Sequence, residues 1–290
     1  MRCDLHVHSI YSGMCTIPGL GRFARECYSE PAALAATLRR RGMNLITVTD
    51  HDSIGAAEHL AGLPGFFLSE EVTCTTPSGT EAHIGVYDIT EKHHHAIQAR
   101  RHDLPRLAAY LEEQNLFASV NHVASTLTGA RRPGDFAALA QFEAFEGLNG
   151  QVPEANNQCA RRMARRWRRR LVGGSDAHTL RSAGRAYTEV PGAQTKEEFF
   201  AGLRAGRGRL RGLAGSWLHL TRDVVAIGGA LAREHPLAIA LAPLLPLAPV
   251  ATALQFGLDY LAAGWWMRHW RLSTRPRPLL GKAVRADSAR

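Results

Sequence analysis

MRCDLHVHSIYSG, residues 1–13, sets an acid and two histidines into an alternating run, Asp4-Leu5-His6-Val7-His8. Alternation of apolar and polar residues is the period of a strand, in which residues two apart point to the same face. CDLHV therefore reads as a short strand whose one face carries both imidazoles. A lone pair of this kind is weak evidence, because many of the 14 histidines must be bystanders. His93, His94 and His95 in KHHHA, where a solvated helix start is expected, and His102 are read that way.

The rest of the chain up to about Gly206 decides the matter. Short apolar runs (CDLHV, NLITVT, FFLSEEVT, EAHIGVYD, FASVN, FEAFEGLN, LVGGS) alternate with helical patterns, which indicates an α/β fold. SEPAALAATLRRRG opens on Ser29 and Pro31 and stops at Gly42, and TKEEFFAGLRAG has capping-box spacing from Thr195 to Glu198. Several runs end in polar, chemically useful residues: VTDHD, SVNH and GGSDAH. In barrel-like α/β folds the carboxyl ends of parallel strands converge on one mouth, so one shared site is expected. Its candidates are His6, His8, Asp50, His51, Glu71, His83, His122, Asp176 and His178. Glu70 should point to the other face of its strand, as a salt-bridge partner. Imidazoles with a few carboxylates and no cysteine suit Zn2+, Mn2+ or Fe2+.

Composition narrows the partners. The 290 residues are 45% hydrophobic, enough for one large core, and the net charge of +9 suits anionic ligands: nucleic acid, anionic membrane or phosphorylated small molecules. The five scattered cysteines form no CxxC pair, which argues against a disulfide framework or thiolate zinc site and for a reducing compartment. Asp4, His6 and His8 stand where a secretory leader would place its apolar core, so a cytoplasmic location is expected, with the inner membrane face as its alternative. Seven arginines between 161 and 170 suit a nucleic-acid backbone or anionic lipid, but no interleaved aromatics or nucleic-acid module accompany them, and a solvated basic helix competes equally. Nucleic acid is the less favoured partner.

Past residue 210 the character changes. The segment 211–275 is rich in Ala, Leu and Trp and is expected to form a helical apolar appendage, seated on a membrane surface or a partner subunit; 276–290 is expected to be a basic disordered tail. The uncharged run from Pro236 to Gln255 approaches transmembrane length, but Pro243, Pro246 and Pro249 interrupt a regular helix.

DLHVHS, TDHD, the glutamate of SEEVT, the histidine of HIG, the NH after a strand and SDAH resemble, in order and rough spacing, the PHP (polymerase and histidinol phosphatase) superfamily over about residues 1–210. The chain is most similar to its stand-alone bacterial metal-dependent phosphoesterases. The resemblance implies a distorted (β/α)7 barrel with two or three divalent ions and hydrolysis of a phosphoester on a small phosphorylated or nucleotide-type substrate. The same cluster also suits hydrolysis of another bond, and a metal-binding interaction module is a third reading. By motif, His6, His8, Glu71 and Asp176 would hold one metal, and Glu71, His83 and His122 a second, Glu71 bridging. His51 and His178 match ligands of a third. The acid or histidine that usually follows HxHS is missing, since Gly13, Met14 and Cys15 stand there. Asp50 or Asp176 would orient a water and His51 or His178 donate a proton. Arg185, nearest the SDAH motif, is the expected phosphate contact, with Arg22, Arg131 and Arg132 as further candidates.

Overall fold

A computed structural model describes residues 1–15, 21 and 23–269 of the chain. The described elements run β1 (Arg2–Cys3), α1 (Pro31–Arg40), α2 (Ala57–Leu60), β2 (Ser69–Thr75), β3 (Glu81–Tyr87), α3 (Glu91–Gln98), α4 (Leu104–Glu113), β4 (Phe117–Val120), α5 (Pro133–Leu139), β5 (Ala144–Asn149), α6 (Glu154–Trp167), β6 (Arg170–Gly174), β7 (Ala186–Glu189), α7 (Lys196–Arg204), β8 (Arg209–Gly212), α8 (Trp217–Glu234) and α9 (Ala248–His269). Between α8 and α9 the stretch Pro236–Leu247 is a 3-10 helix with Pro243 and Pro246 inside it. Arg22 and the tail 276–290 lie outside the described residues.

The fold is α/β, with ladders in two sheets rather than one closed barrel: β2-β3-β4-β5-β6, and β1-β7-β8. The first sheet is mixed. β2, β3 and β4 run antiparallel in sequence, and only β4, β5 and β6 pair in parallel. The expected uniform strand-and-helix alternation is thus broken by a hairpin at TPSG (residues 76–79). NLITVT (44–49) makes no ladder either, because side chains take over its backbone partners. Asn44 Oδ1 accepts from Arg2 N at 3.0 Å, and Thr49 Oγ1 accepts from Val7 N at 2.9 Å. Single bridges, Val7 to Ala177, Ile46 to Phe66 and His51 to Glu71, stitch the two sheets together.

Strand alternation sorts core from site. In β2 and β3, Val72, Ile84 and Val86 enter the apolar layer covered by the helices, with Leu107, Phe136 and Met163. Glu71 pairs in register with Gly85, and Thr73 with His83, so Glu71 and His83 share the opposite face. A second cluster around Leu5, Phe67, Phe117 and Phe199 packs beneath the site. α1 starts at Pro31 behind an N-cap Glu30 that makes no side-chain cap, while α7 is capped by Thr195, which accepts from Glu198 N at 3.2 Å. Glu70, on the helix side, accepts from Gln98 at 2.7 Å and pairs with His94 at 2.9 Å.

Two contacts draw the chain's start against β6. The buried Asp4 carboxylate accepts from Ser175 N at 2.8 Å, Ser175 Oγ at 2.5 Å and Gly184 N at 2.7 Å. Gly174 lies so near His6 that an added Cβ would sit 2.3 Å from His6 Cβ and 2.5 Å from its backbone nitrogen. Gly174→Ala is therefore expected to cost about 3 kcal/mol by overpacking. Gly134→Ala in α5, with nothing within 4 Å of its Cβ position, should leave stability within about 1 kcal/mol. Urea unfolding of both variants measures the difference, and equal midpoints would remove this role of Gly174.

Candidate metal centre

The candidate ligands come from many places and meet in one buried patch. His6 and His8 follow β1, His51 follows the unpaired 44–49 segment, Glu71 and His83 come from the hairpin, His122 follows β4, and Asp176 and His178 follow β6. His122 and Asp176 sit at φ 25° and 53°, in the left-handed region that side chains other than glycine seldom adopt. Strained backbone at two positions of one cluster is the mark of a site held by its surroundings.

Hydrogen bonding fixes which nitrogen each ring offers. Ser12 donates its one hydroxyl hydrogen to Asp50 Oδ1 (2.9 Å), so at 2.7 Å it must accept from His8 Nδ1. His6 Nδ1 donates to Glu146 Oε1 at 2.9 Å, His83 Nε2 to Glu81 Oε1 at 2.8 Å, and His178 Nδ1 to the Asp176 carbonyl at 3.0 Å. In the neutral form that a metal ligand must take, the remaining nitrogens carry lone pairs that face carboxylate oxygens. With no cation between them, burial is outweighed by the carboxylates, which draw protons onto the rings instead and raise His6 well above its usual value and His83 to about 10. His6 Nε2 stands 3.0 Å from Glu71 Oε2 and 3.4 Å from Asp176 Oδ1, and His8 Nε2 stands 3.4 Å from both. On the other Glu71 oxygen, Oε1, His122 Nε2 lies at 3.3 Å and His83 Nδ1 at 3.5 Å. Lone pair against anion is repulsive unless a cation lies between.

The spacings fit that cation. Two donor atoms each ~2.1 Å from one ion lie about 3.0 Å apart at a right angle and about 3.4 Å apart at a tetrahedral one. Most of the separations above are too long for good hydrogen bonds, and His8 Nε2, His51 Nδ1 and His83 Nδ1 are buried without a hydrogen-bond partner. Donor atoms of four overlapping sets, His8-His51-His178, His6-His8-Glu71, His6-His122-Asp176 and His51-Glu71-His83, lie within 4.8 Å of one another. Burial and the charge of His178 push His8 down to about 3, which keeps the ring neutral as a ligand must be. Burial raises the Glu71 carboxyl, but positive charge on His6, His83 and His51 outweighs it and holds the group well below the ordinary carboxylate range, a charge that a bound cation would supply in place of the ring protons.

Sequence reading missed the acid of the third set. Glu26 Oε1 lies 3.5 Å from His178 Nε2, and its Oε2 lies 3.6 Å from His51 Nε2. It enters from the loop before α1, well beyond Gly13, Met14 and Cys15, and no spacing rule announces it. Also missed were the orienting partners Glu146, Ser12 and Glu81. Glu81 stands two residues before His83 on the same strand face, and that period was the available signal.

Two expected site residues fall elsewhere. Asp50 accepts from Ser9 N, Ser9 Oγ and Ser12 Oγ, so it sits behind His8 and supports it rather than facing a water. Arg185 does not line the cavity over the cluster, and its Nε is buried without a partner. Arg131 is buried among Thr80, Thr128 and the Glu81 carbonyl, and Arg132 starts α5.

The cavity, about 370 Å³, has an unexpected wall: Leu220 of α8 and Gln255, Phe256 and Asp259 of α9 close it opposite the histidines. Asp259 accepts from Thr126 N and Oγ1, both at 2.7 Å, which pins α9 to the loop after β4.

Because the cluster is built around like-charged oxygens and unpartnered lone pairs, a divalent cation should stabilise the protein strongly. Adding Mn2+ to chelator-stripped protein is expected to raise Tm by on the order of 10 °C. Glu71→Gln should remove most of that rise. Differential scanning calorimetry reads both, and an unchanged Tm in the unaltered chain would contradict the fit.

A family model described as PHP-associated matches residues 154–207, which span α6, the SDAH motif and α7. No curated protein matches the sequence. Among solved structures, the fold is similar to PsfC from Pseudomonas syringae, at 18% identity and a TM-score of 0.53 over 80% of this chain and 98% of that one. It is also similar to the lesion-specific endonuclease PfuEndoQ from Pyrococcus furiosus, at 15% identity and a TM-score of 0.50 over 72% of this chain. That match spans 57% of the endonuclease. The family-model match falls on the segment that supplies Asp176 and His178, within a chain that carries the other candidate ligand motifs in order.

Proposed function

We propose that this chain is a metal-dependent hydrolase of a small phosphoester, and that its two sheets are an opened form of the distorted (β/α)7 barrel. The observation that carries the reading is the convergence of histidine ring nitrogens on Glu71 and Asp176 beneath a cavity walled by α8 and α9. In this reading His6, His8, Glu71 and Asp176 hold one divalent ion, and Glu71, His83 and His122 hold a second, Glu71 bridging through its two oxygens. His51, His178 and Glu26 form a third set, with Glu26 in place of the acid missing after HxHS. Ions of this kind, Mn2+, Zn2+ or Fe2+, would acidify a bound water and offset charge on the oxygens of a phosphoryl group.

The chain's own residues determine what can enter. Glu26, Asp52, Glu71, Glu81, Asp176 and Asp259 line the cavity, and no arginine or lysine does so among the described residues. An anionic substrate is repelled by such a wall unless cations are held there, which supports metal ions rather than Arg185 as the phosphate contact. Asn149 donates to Asp176 Oδ2 at 3.0 Å and leaves Oδ1 turned to the histidines. Met14, Leu127, Leu220 and Phe256 give the cavity an apolar side, which favours a phosphorylated compound with an apolar or aromatic portion. The cavity's size and its closure by α9 support a small molecule over a nucleic-acid duplex, and the exposed arginines of α6 do not line it.

Hydrolysis of an aryl phosphate by Mn2+-loaded protein tests the reading. Asp176→Asn is expected to lower kcat/KM by about a thousandfold. Glu26→Gln should lose one bound ion in elemental analysis while those on Glu71 stay. Phe256→Ala should raise KM for the aryl substrate roughly tenfold with little change in kcat. Turnover of carboxylic esters or amides with no phosphoester turnover would replace the bond class, and full activity in Asp176→Asn would sink the proposal.

A further inference from the structure

α9 is apolar around most of its circumference, and its polar residues Thr252 and Asp259 are turned inward. Val250, Leu254, Leu258, Leu261 and Trp265 are exposed, Leu254 by 64% and Leu261 by 69%. At 100° per residue they fall within an arc of about 80°. Thr252, Asp259, Ala263 and Trp266 are buried and fall on the opposite side. Their partners are inside the protein: Thr221 Oγ1 at 2.5 Å for Thr252, the Thr126 backbone for Asp259, and the Phe136 ring at 4.5 Å for Trp266. α8 repeats the inversion. Its His219 and Asp223 are buried against Ser182 and Thr179, while Leu218, Val224 and Val225 are exposed. The 3-10 helix between them presents Leu237, 91% exposed, and Ile239, 69% exposed, with no charged side chain in the stretch. A helix facing water shows the reverse pattern, and an apolar surface this continuous marks a contact.

We propose that this face seats the protein on the surface of an anionic lipid bilayer. A bilayer interior requires no matching polar groups, and this face offers none. Its border is cationic: Arg222, Arg233, Arg162 and Arg268 are exposed, whereas the exposed acids there are paired, Glu234 with Arg25 at 3.0 Å and Glu154, beside Arg162 and Arg268, with Arg161. Two copies meeting through the face would bring like-charged borders together, whereas anionic headgroups complement them. The sequence that continues beyond α9 adds six cationic residues, Arg271, Arg275, Arg277, Lys282, Arg285 and Arg290, against Asp287 alone. The segment Ala242–Arg268 is apolar and long enough to cross a membrane, yet Asp259 and Trp266 hold α9 against the protein body. The seat is therefore interfacial, with the outer stripe of α9 entering the headgroup boundary.

Sedimentation of the full chain with vesicles tests this independently of any catalysis. Binding is expected to vesicles of phosphatidylcholine mixed with phosphatidylglycerol, and it should weaken as salt rises. Leu254→Ser combined with Leu258→Ser should weaken it by more than about tenfold, from lost apolar burial, with unchanged circular dichroism and Tm. In the unaltered protein, brominated lipid should quench tryptophan fluorescence, which keeps the test valid if the double variant misfolds. Absence of binding to these vesicles and of quenching overturns the proposal. So does a dimer in analytical ultracentrifugation that the double variant dissolves, which would assign the face to a second copy.

Discussion

The centre of this protein holds imidazole nitrogens against buried carboxylate oxygens, an arrangement that needs positive charge between them. Glu71 is fully buried, each of its oxygens faces ring nitrogens, and His6, His8 and His83 are each anchored by a hydrogen bond at the other nitrogen. The cost of that arrangement explains the features that support it. Asp50 through Ser12 fixes His8, Glu146 fixes His6, and Asn121 donates to Glu71 Oε1 at 2.8 Å. Such a set is stable as a whole and poor in parts, because removing one acceptor frees a ring to turn its N–H toward Glu71.

Much of this could be read from residue order. Alternation paired His6 with His8, although the ladder of β1 ends at Cys3 and both histidines lie beyond it, the polar residues after each apolar run marked the mouth, and capping spacing located α7 at Thr195. The sheet directions were not legible, since β2 and β3 look like any other apolar runs and only the turn between them makes a hairpin. Glu26 was invisible for a related reason. Its contacts to His51 and His178 join segments 25 and 152 residues away, and a loop position carries no period. Asp50 and Arg185 show the converse: the right residue type beside a motif, turned by local hydrogen bonding or burial away from the cavity.

The C-terminal helices change meaning once their buried faces are known. In sequence they are an apolar addition after the catalytic motifs. In the structure His219, Asp223 and Asp259 bind them to the loops that follow β4 and β6, and Phe256 and Leu220 close the cavity. The same two helices thus shape the pocket on one side and present the leucine stripe on the other. A polar inner face was available in the sequence as Asp223 and Asp259, but only the surrounding hydroxyls of Ser182, Thr179 and Thr126 reveal which way it turns.

One small feature joins these two regions. Arg25 reaches the last residue of α8, and Glu26, the next residue along, faces His51 and His178. Adjacent Cα atoms are held 3.8 Å apart by the trans peptide, so one short loop meets the outer helices with one side chain and the histidines with the next. The ion pair on the outer side is exposed and contributes at most about 1 kcal/mol, so the position of Glu26 rests on its own contacts to His51 and His178 rather than on the helices outside.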